Sequence, residues 1–204
     1  MLRHGFARRM EWVFVKAEEG ASGVTATFQR RDDQATRRIW PHAFLARLEV
    51  MVGGQHLVVS LSVTNMDQAP FSFTGALHTY LAVSDIQEVF IEGLGGRAYL
   101  DTVGSRTERI QPEEKLAFGS EVDRIYFNAP PEVWLRDRQR QINITTQGFP
   151  DVVVWNPWAE LGATLADVEP DGYRRMVCIE AAVIGRPVVL APSESWSGTQ
   201  KLSV

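Results

Sequence analysis

Apolar and polar residues alternate with a period of two along most of this 204-residue chain. The stretches "VTATFQR", "LEVMV", "HLVVSLSVTN", "FSFTGALHTYLAV" and "VVVW" set Val, Thr, Phe and Leu against polar partners at every second place. That spacing puts one side of an extended strand on a core and the other toward water. The three- and four-residue spacing of an amphipathic helix is almost absent. Gly53-Gly54, between "LEVMV" and "HLVVSLSVTN", predicts a hairpin joining two long antiparallel strands. Pro70, Gly93 to Gly96, Pro130-Pro131, Gly148 to Pro150 and Pro157 punctuate the rest. Many closely spaced strands without intervening helices predict an all-β chain, built as a large antiparallel sandwich rather than a parallel α/β sheet. No linker, repeat or charge block marks a boundary, so residues 1–204 are expected to form one domain.

Composition narrows the partners. Hydrophobic residues make up 45% and charged residues 23% of the chain, enough to bury a large core. The net charge of -4 disfavours a nucleic acid or an anionic membrane as partner, so any anion site must be local. Five basic residues, Arg3, His4, Arg8, Arg9 and Lys16, gather near the N-terminus. Cys178 is the only cysteine, which leaves no disulfide framework and no paired-cysteine metal signature and fits a cytoplasmic setting. No apolar run approaches the roughly 18 residues of a membrane span.

Several stretches carry candidate chemistry. Gly93-Leu94-Gly95-Gly96-Arg97-Ala98 fits a dinucleotide-binding glycine pattern, but that pattern needs a helix after it. The stretch "YLDTVGSRTERIQPEE" after it is interrupted by Gly104 and Pro112 and lacks an apolar stripe, so the glycine segment is read as a turn. In "FSFTGALHTYLAV", taken as one strand, His78 shares a face with Ser72, Thr74, Ala76 and Tyr80, away from the greasy face. It is either a hydrogen-bonded residue on a half-wet surface or an imidazole that donates a proton in a polar cleft. Glu180 stands among small or soft neighbours on the otherwise apolar strand "MVCIEAAVIG". A charge there is costly without a partner or a task, and burial would make it a better base; the other reading is an edge-strand glutamate facing water. Asp123, in "EVDRIY", reads alone as a surface acid near a strand start, and Arg124 beside it points to the opposite face. "DVVVWNPW" is an aromatic corner, suited to packing or to stacking a sugar ring with an amide nearby.

In order along the chain, "HGFAR", "ALHTYLAVSDI", "EGLGGRAYLD", "EVDRIY", "VVVWNPW" and "YRRMVCIEAAVIGRPVVLAPSESWSGTQKLSV" resemble the D-hexose-6-phosphate mutarotases, or glucose-6-phosphate 1-epimerases. These are relatives of the aldose 1-epimerases and of apospory-associated protein C. The resemblance implies a galactose-mutarotase-like β-sandwich with a sugar cleft on one curved sheet and no cofactor or metal. It makes His78 the general acid, Glu180 the base and Asp123 a holder of sugar hydroxyls. Arg8 and Arg3 become contacts on the phosphate side, with His4 near the sugar. Members usually carry a sizeable segment before "HGFAR", including early strands and a further arginine. The fold is therefore expected to lack some N-terminal strands, to expose an edge and apolar surface, and to self-associate as a homo-oligomer. Thr102 stands after "YLD" where relatives often have lysine.

The expectation is an isomerase that interconverts the anomers of a hexose 6-phosphate, with a small sugar phosphate as its partner. The alternative is a non-catalytic carbohydrate-binding or regulatory module that keeps the fold with an incomplete site.

Overall fold

A computed structural model describes residues 4–138 and 140–204; Arg3 lies outside the described residues. The strands are β1 (Val13–Gly20), β2 (Gly23–Arg31), β3 (Phe44–Gly53), β4 (His56–Asn65), β5 (Phe71–Leu77), β6 (Tyr80–Ala82), β7 (Phe90–Glu92) and β8 (Ala98–Asp101). They continue as β9 (Thr107–Ile110), β10 (Lys115–Ala117), β11 (Val122–Tyr126), β12 (Glu132–Arg136), β13 (Gln141–Gln147), β14 (Asp151–Asn156), β15 (Met176–Leu190) and β16 (Ser195–Ser203). Two short α-helices, α1 (Gln34–Ile39) and α2 (Trp158–Gly162), interrupt them. An all-β, antiparallel chain is what the two-residue alternation dictates.

The chain divides into two compact units, one of residues 1–73 and 187–199, the other of residues 74–186 and 200–204. In the first, β1 to β4 form an antiparallel meander in chain order. Gly53 pairs with His56 across the β3–β4 turn, where Gly54 takes a positive φ of 55°, so the predicted hairpin forms there. Gly23 and Gly53 let neighbouring backbones approach closely. A Cβ on Gly53 would lie 1.8 Å from the Ser22 carbonyl oxygen. Helix α1 is nucleated by a capping box, with Asp33 Oδ1 accepting from the Thr36 N–H and Thr36 Oγ1 from the Asp33 N–H, both at 2.8 Å.

One face of the meander is mostly apolar. At one end Phe44, Ala46 and Val63 are buried with Phe71 and Leu190. Phe14, on β1, and Val52, toward the β3–β4 turn, are 58% and 59% exposed, and β1 is an edge strand exposed along its whole length. The opening "HGFAR" is tied down by Phe6, whose ring sits 6.3 Å from Trp40 and 6.1 Å from Phe44.

The second unit holds the main core. Strands β13, β12, β7 and β10 lie side by side in that order, and β15, β14, β11, β8 and β9 in another series, with β6 against β15. Ile91, Leu116, Val133, Leu135, Ile142 and Ile144 from the first series pack with Val122, Tyr126, Val152, Val154, Val177 and Ile179 from the second. Two sheets thus close on one core at every second residue, as in a sandwich. The segment after β7 is a turn, with Gly93 and Gly96 at φ of 101° and 70°, and it leads into β8 rather than a helix. The dinucleotide reading ends there.

Candidate active site

With Val177 and Ile179 pointing into the core, Cys178, Glu180 and Ala182 of β15 must face the other way. The same parity on β14 turns Val153 and Trp155 outward, and on β11 Asp123 and Ile125. The registers align these residues. Tyr80 pairs with Cys178, Cys178 with Trp155 and Trp155 with Asp123, a single row across β6, β15, β14 and β11. One step along lies the row Glu180, Val153, Ile125. Strands about 5 Å apart bring such rows into contact.

His78 reaches this face by a break in the chain. The stretch read as one strand, "FSFTGALHTYLAV", ends as β5 at Leu77 and resumes as β6 at Tyr80. His78 and Thr79 leave the ladder, and the Thr79 N–H bonds back to the Leu77 carbonyl at 2.9 Å. Alternation alone could not show this, because the residues on either side keep strand character. The imidazole is stacked on the Tyr80 ring at 4.9 Å and 18°, and Trp155 meets it edge-on at 6.0 Å. Its Nε2 lies 3.4 Å from Glu180 Oε1.

Glu180 is no edge residue. Its strand runs between β14 and β6, and its side chain is only 8% exposed. Burial pushes its carboxyl up to about 8, and the negative charge of Asp123 adds to the effect. The neighbouring Cys178 thiol is pushed well above its ordinary range, first by burial and then by Glu180, so it stays protonated and is a poor nucleophile. His78, Asp123 and Glu180, named from different parts of the sequence, are thus brought to one face within one unit. His4 and Arg8 belong to the other unit, where Arg8 is exposed in a 3₁₀ turn over Ala7–Arg9.

Neighbouring residues separate structural roles from chemical ones. Arg124 points into the opposite side, donating to Gln111 Oε1 at 2.8 Å and lying 4.6 Å over the Tyr99 ring. Asn156 is not available to a sugar. Its amide donates to the carbonyls of Tyr173 and Met176 at 2.8 Å each, and its oxygen accepts from the Trp158 N–H at 2.9 Å. Of the "WNPW" corner only Trp155 turns to the site, while Trp158 packs on the core with Tyr173. Thr102 sits beside Asp123, its N–H and hydroxyl both donating to the Asp123 carbonyl at 2.8 and 3.0 Å. Tyr80, which stacks on the imidazole, was visible in the sequence only as a face-mate of His78. Among the described residues, no three or more His, Cys, Asp or Glu side chains gather as a metal site would require. No helix among them is long and apolar enough to cross a membrane.

The family model for aldose 1-epimerase matches residues 1–203. A protein of Cenchrus ciliaris, provisionally named a glucose-6-phosphate 1-epimerase, is 35% identical over 98% of this chain and 64% of its own length. Its namesake in Escherichia coli is 33% identical over 88% of this chain and 60% of its own length. The chain therefore spans less than two thirds of these relatives. The crystal structure of a provisionally assigned mutarotase from Salmonella typhimurium superposes with a TM-score of 0.91 at 29% identity, covering 100% of this chain and 68% of that one. The sequence motifs, the antiparallel fold and the matches along nearly the whole chain converge: this chain belongs to the aldose 1-epimerase family.

Proposed function

We propose that this protein interconverts the α and β anomers of a hexose 6-phosphate, with Glu180 as base and His78 as acid. The observation that carries the reading is the pair itself: a buried carboxylate and an imidazole 3.4 Å apart, on a face that also presents Asp123 and the Trp155 and Tyr80 rings.

The chemistry asks little more. Glu180 takes the proton from the C1 hydroxyl, the O1 electrons form the C1=O1 bond, and the C1–O5 bond breaks as O5 takes a proton from His78 Nε2. Rotation about C1–C2 exposes the other face of the aldehyde. The two transfers then run in reverse, restoring carboxylate and imidazolium. Each general acid or base step is worth about 10²- to 10⁴-fold. The working form holds one proton between the two groups, on His78, so Glu180 must be ionised. Its raised pKa makes it a stronger base, while also limiting how much of it is ionised at neutral pH. Asp123 would accept sugar hydroxyls, and the aromatic rings would cover a C–H face of the pyranose.

The 6-phosphate falls to the opening "RHGFAR". Arginine suits it, because a guanidinium donates two charge-assisted hydrogen bonds to phosphate oxygens. Arg8 and Arg3 are the proposed phosphate contacts, and His4 the neighbour of the sugar. The names of the similar proteins from Cenchrus ciliaris and Escherichia coli support glucose 6-phosphate as the substrate. Exchange spectroscopy on the two anomers of glucose 6-phosphate, compared with glucose, tests both parts. Acceleration for glucose 6-phosphate alone is expected, and equal acceleration for both sugars would remove the phosphate assignment.

A further inference from the structure

The break at His78 and Thr79 creates a difficulty that the fold must resolve. Strand β15 pairs with β6 through Cys178 and Tyr80, and the next ladder step would set Ile179 against Thr79. The Ile179 N–H still finds the Thr79 carbonyl at 3.2 Å, but the Ile179 carbonyl needs a donor from elsewhere. The donor comes from β16. Gln200, with 2% of its surface exposed, donates its Nε2 to the Ile179 carbonyl at 3.0 Å and accepts from the Thr79 hydroxyl at 2.5 Å on its Oε1. Both ends of one buried amide are therefore used. One holds the residue after His78 and the other the residue before Glu180.

We infer that Gln200 is a positioning residue: it sets the imidazole of His78 and the carboxylate of Glu180 at their working separation by holding the Thr79 side chain beside the one and the Ile179 carbonyl beside the other. The inference rests on the acid and base roles proposed above. The amide suits the place, since the site needs a donor toward a carbonyl and an acceptor for a hydroxyl from one side chain. A glutamate could not donate when ionised, and a leucine could do neither. The chain from amide to reacting atoms is short, and a misplacement of about 1 Å at such a pair costs about 10²-fold in rate.

The test uses the full chain with Gln200→Leu, Thr79→Val, Thr79→Ser and the double variant Gln200→Leu/Thr79→Val. Anomer exchange of glucose 6-phosphate gives kcat and KM, and nitrogen-15 NMR follows the His78 ring resonances. Gln200→Leu should lower kcat about 10²-fold with KM little changed. Thr79→Ser keeps the hydroxyl and should keep kcat, while the double variant should lose no more than its worse parent, because both changes break one link. The ring resonances should move in Gln200→Leu and Thr79→Val but not in Thr79→Ser. A folded Gln200→Leu with wild-type kcat and unmoved ring resonances overturns the inference, as do additive losses in the double variant. Should Gln200→Leu not fold, Thr79→Val decides alone, since it leaves the bond to Ile179 in place. A wild type without exchange activity would sink the proposed function, whereas the ring resonances would still decide the role of Gln200.

Discussion

Replacing Glu180 by glutamine should make the fold more stable, by an amount that grows with pH. The carboxyl is raised from an ordinary 4.5 to about 8, chiefly by burial. One pKa unit corresponds to about 1.4 kcal/mol, so the fully ionised side chain costs the folded state about 5 kcal/mol. A pKa raised on folding fixes the sign. The cost is absent below the unfolded value of 4.5, grows as pH rises and levels off above the folded value of about 8. Glutamine has almost the same shape and carries no charge, so it escapes the cost at every pH. The stability difference between Glu180→Gln and the wild type should therefore widen by about 4 kcal/mol between about pH 5 and about pH 9. Subtracting one protein from the other removes the titration of every group that does not feel Glu180, so the remaining difference belongs to Glu180 and its immediate neighbours, His78 at 3.4 Å foremost. Urea unfolding of both at a series of pH values measures it. A difference that stays flat across that range, or that widens toward acid, would refute a buried, destabilised carboxylate at this place.

Three further outcomes are expected. Asp123→Asn removes the charge that helps hold Glu180 up, so the acid limb of kcat/KM for anomer exchange should move to lower pH than in the wild type; an unmoved limb would detach Asp123 from the base. Gly53→Ala drives a methyl group into the Ser22 carbonyl at 1.8 Å, and should cost more than 2 kcal/mol, on the order of the larger single-residue effects, read as a lowered urea midpoint with the slope unchanged. Arg8→Ala should raise KM for glucose 6-phosphate about tenfold, as the loss of a charge-assisted bond implies, and leave any exchange of unphosphorylated glucose untouched; an equal effect on both sugars would place Arg8 outside the phosphate contact.

What was legible in the sequence came from periodicity and turn chemistry. The β3–β4 hairpin stood at its glycines, the "GLGGRA" turn was recognisable from the missing helix after it, and Arg124 was correctly set on the face opposite Asp123. Glu180 drew attention as a charge in an apolar strand, and its burial shows why that signal works: a carboxylate in such a place costs energy, so it stands out against its neighbours. Three features could not be read. The break at His78 is made by the fold, since both flanks alternate as strands do. Asn156 reads as a polar group at an aromatic corner, yet it is spent on two carbonyls and a backbone N–H. Gln200 sits in "SGTQKL", an ordinary strand pattern, and its partners lie 121 and 21 residues away. Long-range polar pairing leaves no local mark.

The central claim is that Glu180 and His78 together open and close a sugar phosphate ring. Exchange NMR between the anomers of glucose 6-phosphate, run on the wild type, Glu180→Gln and His78→Asn under one set of conditions, tests it most directly. The wild type should accelerate exchange well beyond buffer, and each variant should lose about 10²- to 10⁴-fold of that acceleration while staying folded. A wild type that binds glucose 6-phosphate but exchanges its anomers no faster than buffer, or folded variants that retain the full rate, would contradict it.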